Sequence, residues 1–279
     1  MHKNWHPYGD PVAVNWEGHG YFGYPSSGQE MAAGEGLLPQ AGDFERWVAA
    51  LEQAKGGNFS GIPGLLEICT GDTHPVNRDL CAELIGDAGP DSMIDFISLR
   101  LAEGGDDFEI TLALAGILAQ RSKLADIPII LDAFERMADI EDAEIMPVWI
   151  SDCLEGEGVL SDHGNFDSLE AYRMAVERRY AQLAGASGSD QVIVVHGELF
   201  GVARLAEQVL RRLRQPFFPS YLRRRLEAAT GIDCSSFYED GTFMPLQAAA
   251  LIEEFLDSPQ ARHFEDGVRY FFGHRIPDR

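Results

Sequence analysis

The residues with the widest chemical repertoire in this chain of 279 are its four cysteines and eight histidines. Cys234, followed by Ser235-Ser236, could be assembled with His196 or His274 into a thiolate–imidazole pair, the arrangement that activates sulfur for covalent catalysis, but any chain with this many Cys and His permits that construction. Cys69, Cys81, Cys153 and Cys234 are too scattered for a zinc knuckle or a disulfide framework, so they are expected to be reduced, buried and structural. His2, His6 and His19 fit no zinc spacing. No glycine-rich phosphate loop, nucleophile elbow, paired-histidine zinc helix or calcium loop occurs. Carboxylates are abundant enough to supply an acid–base pair anywhere and therefore single out none. Asn58-Phe59-Ser60 matches a glycosylation acceptor, which is idle inside a cell. The expectation is a protein that is not an enzyme and holds no metal or cofactor.

Charge is more informative than nucleophiles. The formal net charge is −23, and residues 1–170 hold 31 Asp and Glu against 8 Lys and Arg, whereas residues 171–279 hold 14 of each sign. Such a chain repels a nucleic-acid backbone, so no direct nucleic-acid binding is expected. Three acidic groups fall between apolar segments: Asp106, Asp107 and Glu109; Asp139, Glu141, Asp142 and Glu144; and Asp152, Glu155 and Glu157. In a stack of helix pairs the turns line up along one edge, so the three groups are expected to form one negative strip that steers a basic partner. Seven arginines, Arg204, Arg211, Arg212, Arg214, Arg223, Arg224 and Arg225, crowd the neutral part. They are expected to dock internally onto the acidic array or to sit on solvated helix faces; a second binding patch for phosphate is the competing possibility.

The elements that must position these groups are mostly helical. Residues 1–40 are rich in Gly, Pro and aromatics without any period, which predicts an irregular arm packed on the body. From Asp43, an expected cap, apolar residues recur at helical spacing, and successive segments start near 62, 75, 92, 108, 125 and 143. Ser92 with Asp95, and Asp167 with Glu170, have capping-box spacing. Two helices per roughly 33 residues is the rhythm of helix-pair repeats. The expected fold is mainly α, a HEAT-like acidic array over 41–160, followed by a smaller α+β part over 161–279 with a few short strands near Val192–Val195 and around Glu239-Asp240-Gly241. No apolar run reaches the ~18–20 residues of a membrane span, and the start has no signal-peptide character, so a cytoplasmic protein is expected.

Ala229-Thr230-Gly231-Ile232-Asp233-Cys234, Asp240-Gly241-Thr242 and the ending Gly267-Val268-Arg269-Tyr270-Phe271-Phe272-Gly273-His274-Arg275 resemble bacterial immunity proteins of polymorphic toxin systems. The resemblance covers mainly the last fifty residues and brings no catalytic residue with it. It implies a cytoplasmic protein that binds and neutralises a cognate toxin domain delivered by type VI or Rhs-type secretion. Many such toxins are basic nucleases, which agrees with the acidic array. The expected function is stoichiometric occlusion of a basic toxin, with a helical-repeat adaptor or scaffold as the alternative and an enzyme with an unrecognised site as a third.

Overall fold

The structure, a computed structural model, describes residues 21–22, 41–155, 158–215, 218, 220–239 and 242–278. These form eleven α-helices and six two-residue strands, a mainly α protein with a small β part towards the C-terminus. The chain divides into two compact units, one of Met1–Cys81 with Gly201–Ile276 and one of Ala82–Phe200 with Pro277–Arg279. The sequence places its main boundary at 160; the fold instead returns residues 201–276 to the unit that begins the chain. That return depends on contacts more than 150 residues apart, which no local pattern encodes.

The first unit contains α1 (Ala41–Lys55), α2 (Leu65–Cys69) and the start of α3 (Pro75–Ala88), then α9 (Val202–Arg212), α10 (Ser220–Thr230) and α11 (Pro245–Asp257). Phe44, Trp47 and Leu51 fall on one face of α1 and are buried, and Trp47 Nε1 donates to the Leu80 carbonyl at 2.9 Å. Asp43 does not cap α1, which begins two residues earlier; it accepts from Thr73 Oγ1 instead. The segment expected as one helix from Ile62 is a 3-10 turn, Phe59–Gly64, followed by the short α2. Strands β3 (Tyr238–Glu239) and β4 (Thr242–Phe243) form one hairpin, β5 (Tyr270–Phe271) and β6 (His274–Arg275) another. The second lies on α10, where the Phe272 and Gly273 N–H groups donate to Ala228 and Ala229. Its turn puts Phe272 at φ 50° and Gly273 at φ 79°, the two successive left-handed residues that a tight two-residue hairpin requires. Tyr21, from the expected aromatic arm, is buried against Phe271 and Phe272; Trp5, Tyr8, Trp16 and Tyr24 lie outside the described residues.

The second unit is a helix array: α4 (Asp91–Glu103), α5 (Phe108–Arg121), α6 (Ile127–Arg136), α7 (Ile145–Leu154) and α8 (Leu169–Ser187). Each helix from α4 to α6 packs on the next and on the next but one, the pattern of stacked helix pairs. Arg121 locks the array from inside. Only 1% of its side chain is exposed, and it donates to both oxygens of Asp126, to Asp95 and to Ser98 at 2.7–3.2 Å. Burial opposes its charge, but the two carboxylates outweigh that and hold its pKa above the usual arginine range. Asp95 is thus spent on Arg121, and α4 begins after Pro90 without the Ser92 capping box. At α8 the cap is Ser168, accepting from Ala171 N–H, not Asp167. Helix α8 continues to Ser187 and ends at Gly188 in the left-handed conformation. Only Val194–Val195 of the β-branched run forms a strand, β1, paired with β2 (Glu198–Leu199). Among the described residues no helix is long and apolar enough to cross a membrane.

Candidate protein-binding interface

Helix order decides which acidic groups meet. In the second unit the chain runs up α4, down α5, up α6 and down α7, so the turns after α4 and after α6 share one end. Arg136, the last residue of α6, confirms the pairing: its Nη2 donates to the Leu101 carbonyl at 2.9 Å. Asp106, Asp107 and Glu109 therefore stand at the same end as Asp139, Glu141, Asp142 and Glu144. The third group does not. Asp152 and Glu155 end α7 at the opposite end, a helix length of ~15 Å away. That end is closed by 190–197, whose N–H groups at Val194, His196 and Gly197 donate to the Ser122, Asp152 and Cys153 carbonyls. The expected single strip is thus two acidic turns side by side and a third group apart. Glu157 lies outside the described residues.

Within the acidic end the carboxylates are not equivalent. Asp106 is held by Arg100 through two hydrogen bonds, 3.0 and 2.6 Å, and Asp107 caps α5 by accepting from Ile110 N–H. Those two serve the fold first. Glu109 is exposed in the first turn of α5, where the helix dipole favours negative charge. Asp139, Glu141, Asp142 and Glu144 are all exposed, and among the described residues none enters an ion pair. The 3-10 turn Glu141–Glu144 explains their orientation: only Ala143 is small and apolar, it is fully buried, and its burial turns the three acids outward. Leading into the N-terminus of α7, they gain ~0.3–1 kcal/mol each from the dipole, which offsets part of their mutual repulsion.

Two apolar side chains flank these acids, and sequence reasoning misses them. Ile140 is 40% exposed and Ile145 39%. Both were hidden in the helical pattern, although Ile145 is off the stripe of Met146, Ile150, Cys153 and Leu154 that faces the core. Apolar anchors inside a charged rim are the anatomy of a protein-binding patch.

The arginines divide between the two parts of the expectation: Arg211 and Arg214 are exposed on solvated faces. Arg204 pairs with Asp266 at the surface. Arg223, Arg224 and Arg225, by contrast, are buried within the first unit, so they are neither solvated faces nor a surface patch. Arg223 has its Nη2 3.8 Å from Glu227, the Tyr238 ring 5.5 Å from its Cζ, and no hydrogen-bond acceptor for Nε or Nη1. Unsatisfied donors on a buried charge cost at least about 1–3 kcal/mol. Burial pushes the Glu227 carboxyl upward, only partly countered by Arg223 and by the N–H groups of Tyr21 and Cys234 that it accepts.

The thiol chemistry finds no support in the geometry. Cys234 is fully buried, its Sγ contacts the Ile232 carbonyl, and burial together with the Glu227 charge pushes the thiol far above its ordinary range. His196 belongs to the other unit, and His274 sits against Gly57. All four cysteines are free and buried. Among the described residues no group of three or more His, Cys, Asp or Glu is placed to hold a metal ion. Comparison with known protein families, with curated proteins and with solved structures finds no match to this chain.

Proposed function

We propose that this protein is a cytoplasmic binding protein that neutralises a basic toxin domain by stoichiometric occlusion, without chemistry of its own. The observation that carries the reading is the exposed turn 139–145, four carboxylates that enter no ion pair among the described residues, with the exposed Ile140 and Ile145 beside them. Uncompensated negative charge raises the encounter rate with a basic surface, and apolar anchors then slow release. The resemblance of the last fifty residues to immunity proteins supplies the identity of the partner class. The test is co-expression with a toxin domain encoded beside this gene. Rescue of growth and co-purification at a fixed stoichiometry are expected; rescue without association would mean enzymatic reversal of the damage and would sink occlusion.

A helical adaptor is the second reading. It is favoured by Phe96 and Leu99, 57% and 66% exposed one turn apart on α4, an apolar stripe that a single acidic interface does not use. Retention of the toxin by a Phe96→Ser/Leu99→Ser variant would disfavour it.

A further inference from the structure

We propose that the outer face of α4 is a docking surface for an amphipathic helix of a partner protein, one whose apolar stripe is flanked by lysine and arginine. A surface helix is ordinarily apolar on one face and polar on the other. Helix α4 is apolar on two. Ile94, Ile97 and Leu101 are buried, as its packing on α5 and α6 requires. Phe96 and Leu99 stand on the opposite side, each more than half exposed. Met93, partly exposed, and Ala102, exposed, continue the row at spacings of three. Side chains three apart form one of the ridges by which a helix packs into the groove of another. Single exposed apolar side chains are ordinary, whereas a contiguous row marks a surface that is covered in a complex.

Charge selects the occupant. Ser92, Asp95 and Glu103 border the row on the exposed side of α4. The cations nearest to it, Arg100 and Lys123, are spent on Asp106 and Asp95. The unit that carries α4 holds 25 Asp and Glu against 8 Lys and Arg. A second copy of the chain would bring the same negative charge against this face, and an anionic lipid surface would be repelled by it. Basic residues flanking an apolar stripe complement it instead. Shape agrees with charge, because a straight helix of 13 residues with a ridge along it presents anchors at the spacing that another helix reads. The inference rests on the adaptor reading and names the class of partner which that reading leaves open.

The test titrates the whole protein into a fluorescein-labelled peptide of about 14 residues, a helix of ~20 Å, with leucine along one face and lysine along the other. Two companion peptides carry alanine in place of leucine, or glutamate in place of lysine. Anisotropy is read at physiological ionic strength for wild type, Phe96→Ser/Leu99→Ser and Ile140→Ala/Ile145→Ala. Wild type and Ile140→Ala/Ile145→Ala should bind the leucine–lysine peptide saturably and neither companion. Phe96→Ser/Leu99→Ser should bind it at least ~tenfold more weakly, with circular dichroism unchanged because both positions are exposed. Equal binding by wild type and Phe96→Ser/Leu99→Ser overturns the proposal, since adhesion is then by charge alone. An equal response to the glutamate peptide overturns it too, as does a wild type that ignores the leucine–lysine peptide, whatever the variants do. Sedimentation that finds wild-type dimers broken by Phe96→Ser/Leu99→Ser gives the face to a second copy and likewise overturns it. Failure of the adaptor reading looks different: Phe96→Ser/Leu99→Ser then retains the toxin while losing the peptide, a result that still supports the docking face.

Discussion

Arg136 Nη2 donates to the Leu101 carbonyl across 2.9 Å, joining the last turn of α6 to the last turn of α4. Through this bond the two acidic turns are held in register beside each other. Replacement by methionine keeps the aliphatic stem but leaves a carbonyl without its donor. Arg136→Met is expected to lower unfolding free energy by about 1–2 kcal/mol in denaturant titration, with the helix content unchanged.

The two ends of the array give a matched test of which acids matter. Neutralising Glu141→Gln/Asp142→Asn should reduce the association rate with a basic partner and flatten its salt dependence, because the Debye length falls from ~30 Å to ~8 Å between low and physiological ionic strength. The equal charge change Asp152→Asn/Glu155→Gln at the opposite end should leave the rate near wild type. Stopped-flow association across that salt range checks both; equal effects would assign the acidity to solubility alone.

Ile140 and Ile145 should act on the other rate constant. Truncation of both to alanine is expected to raise the dissociation rate by roughly tenfold or more and to leave association nearly unchanged, since apolar anchors at an interface resist release. As both are substantially exposed, stability should move by less than about 1 kcal/mol. Surface-immobilised kinetics with parallel thermal melts separate the two effects.

Inside the array, Asp126→Asn removes a carboxylate that is 4% exposed in its side chain and leaves Arg121 without its main counter-charge. Breaking a buried pair from one side costs about 3–5 kcal/mol, a large share of an ordinary domain's stability. Urea unfolding of the variant should show that loss.

Asp95 predicts an acid limb. Its carboxyl is held below the ordinary value of 3.8: burial acts in the opposite direction, but hydrogen bonding and charge from Arg121, aided by Lys123, prevail. A carboxyl lowered in the folded state contributes stability above the unfolded value and loses it as pH falls through the folded one. Unfolding curves measured from pH 5 down to pH 2 should therefore fall more steeply for wild type than for Asp95→Asn.

The sequence by itself determined the helices, because a period of 3.6 in apolar residues is a local property. Phe108–Arg121 begins where spacing puts it and Ile127–Arg136 within two residues of it. It also determined that Glu141, Asp142 and Glu144 would be exposed, since such charges have no inexpensive place inside. Even the separation of Asp152 from Glu141 follows from counting helix reversals, although charge composition conceals it. Tertiary structure alone decided three things. Residues 201–276 returned to α1, because packing partners far apart in sequence leave no local trace. Ser92 lost its capping role when Arg121 claimed Asp95, a tertiary ion pair outweighing a local motif. Arg223 went inside, against the usual preference of arginine for solvent, because its position on α10 and the cover of Tyr238 are set by how distant segments fold over one another.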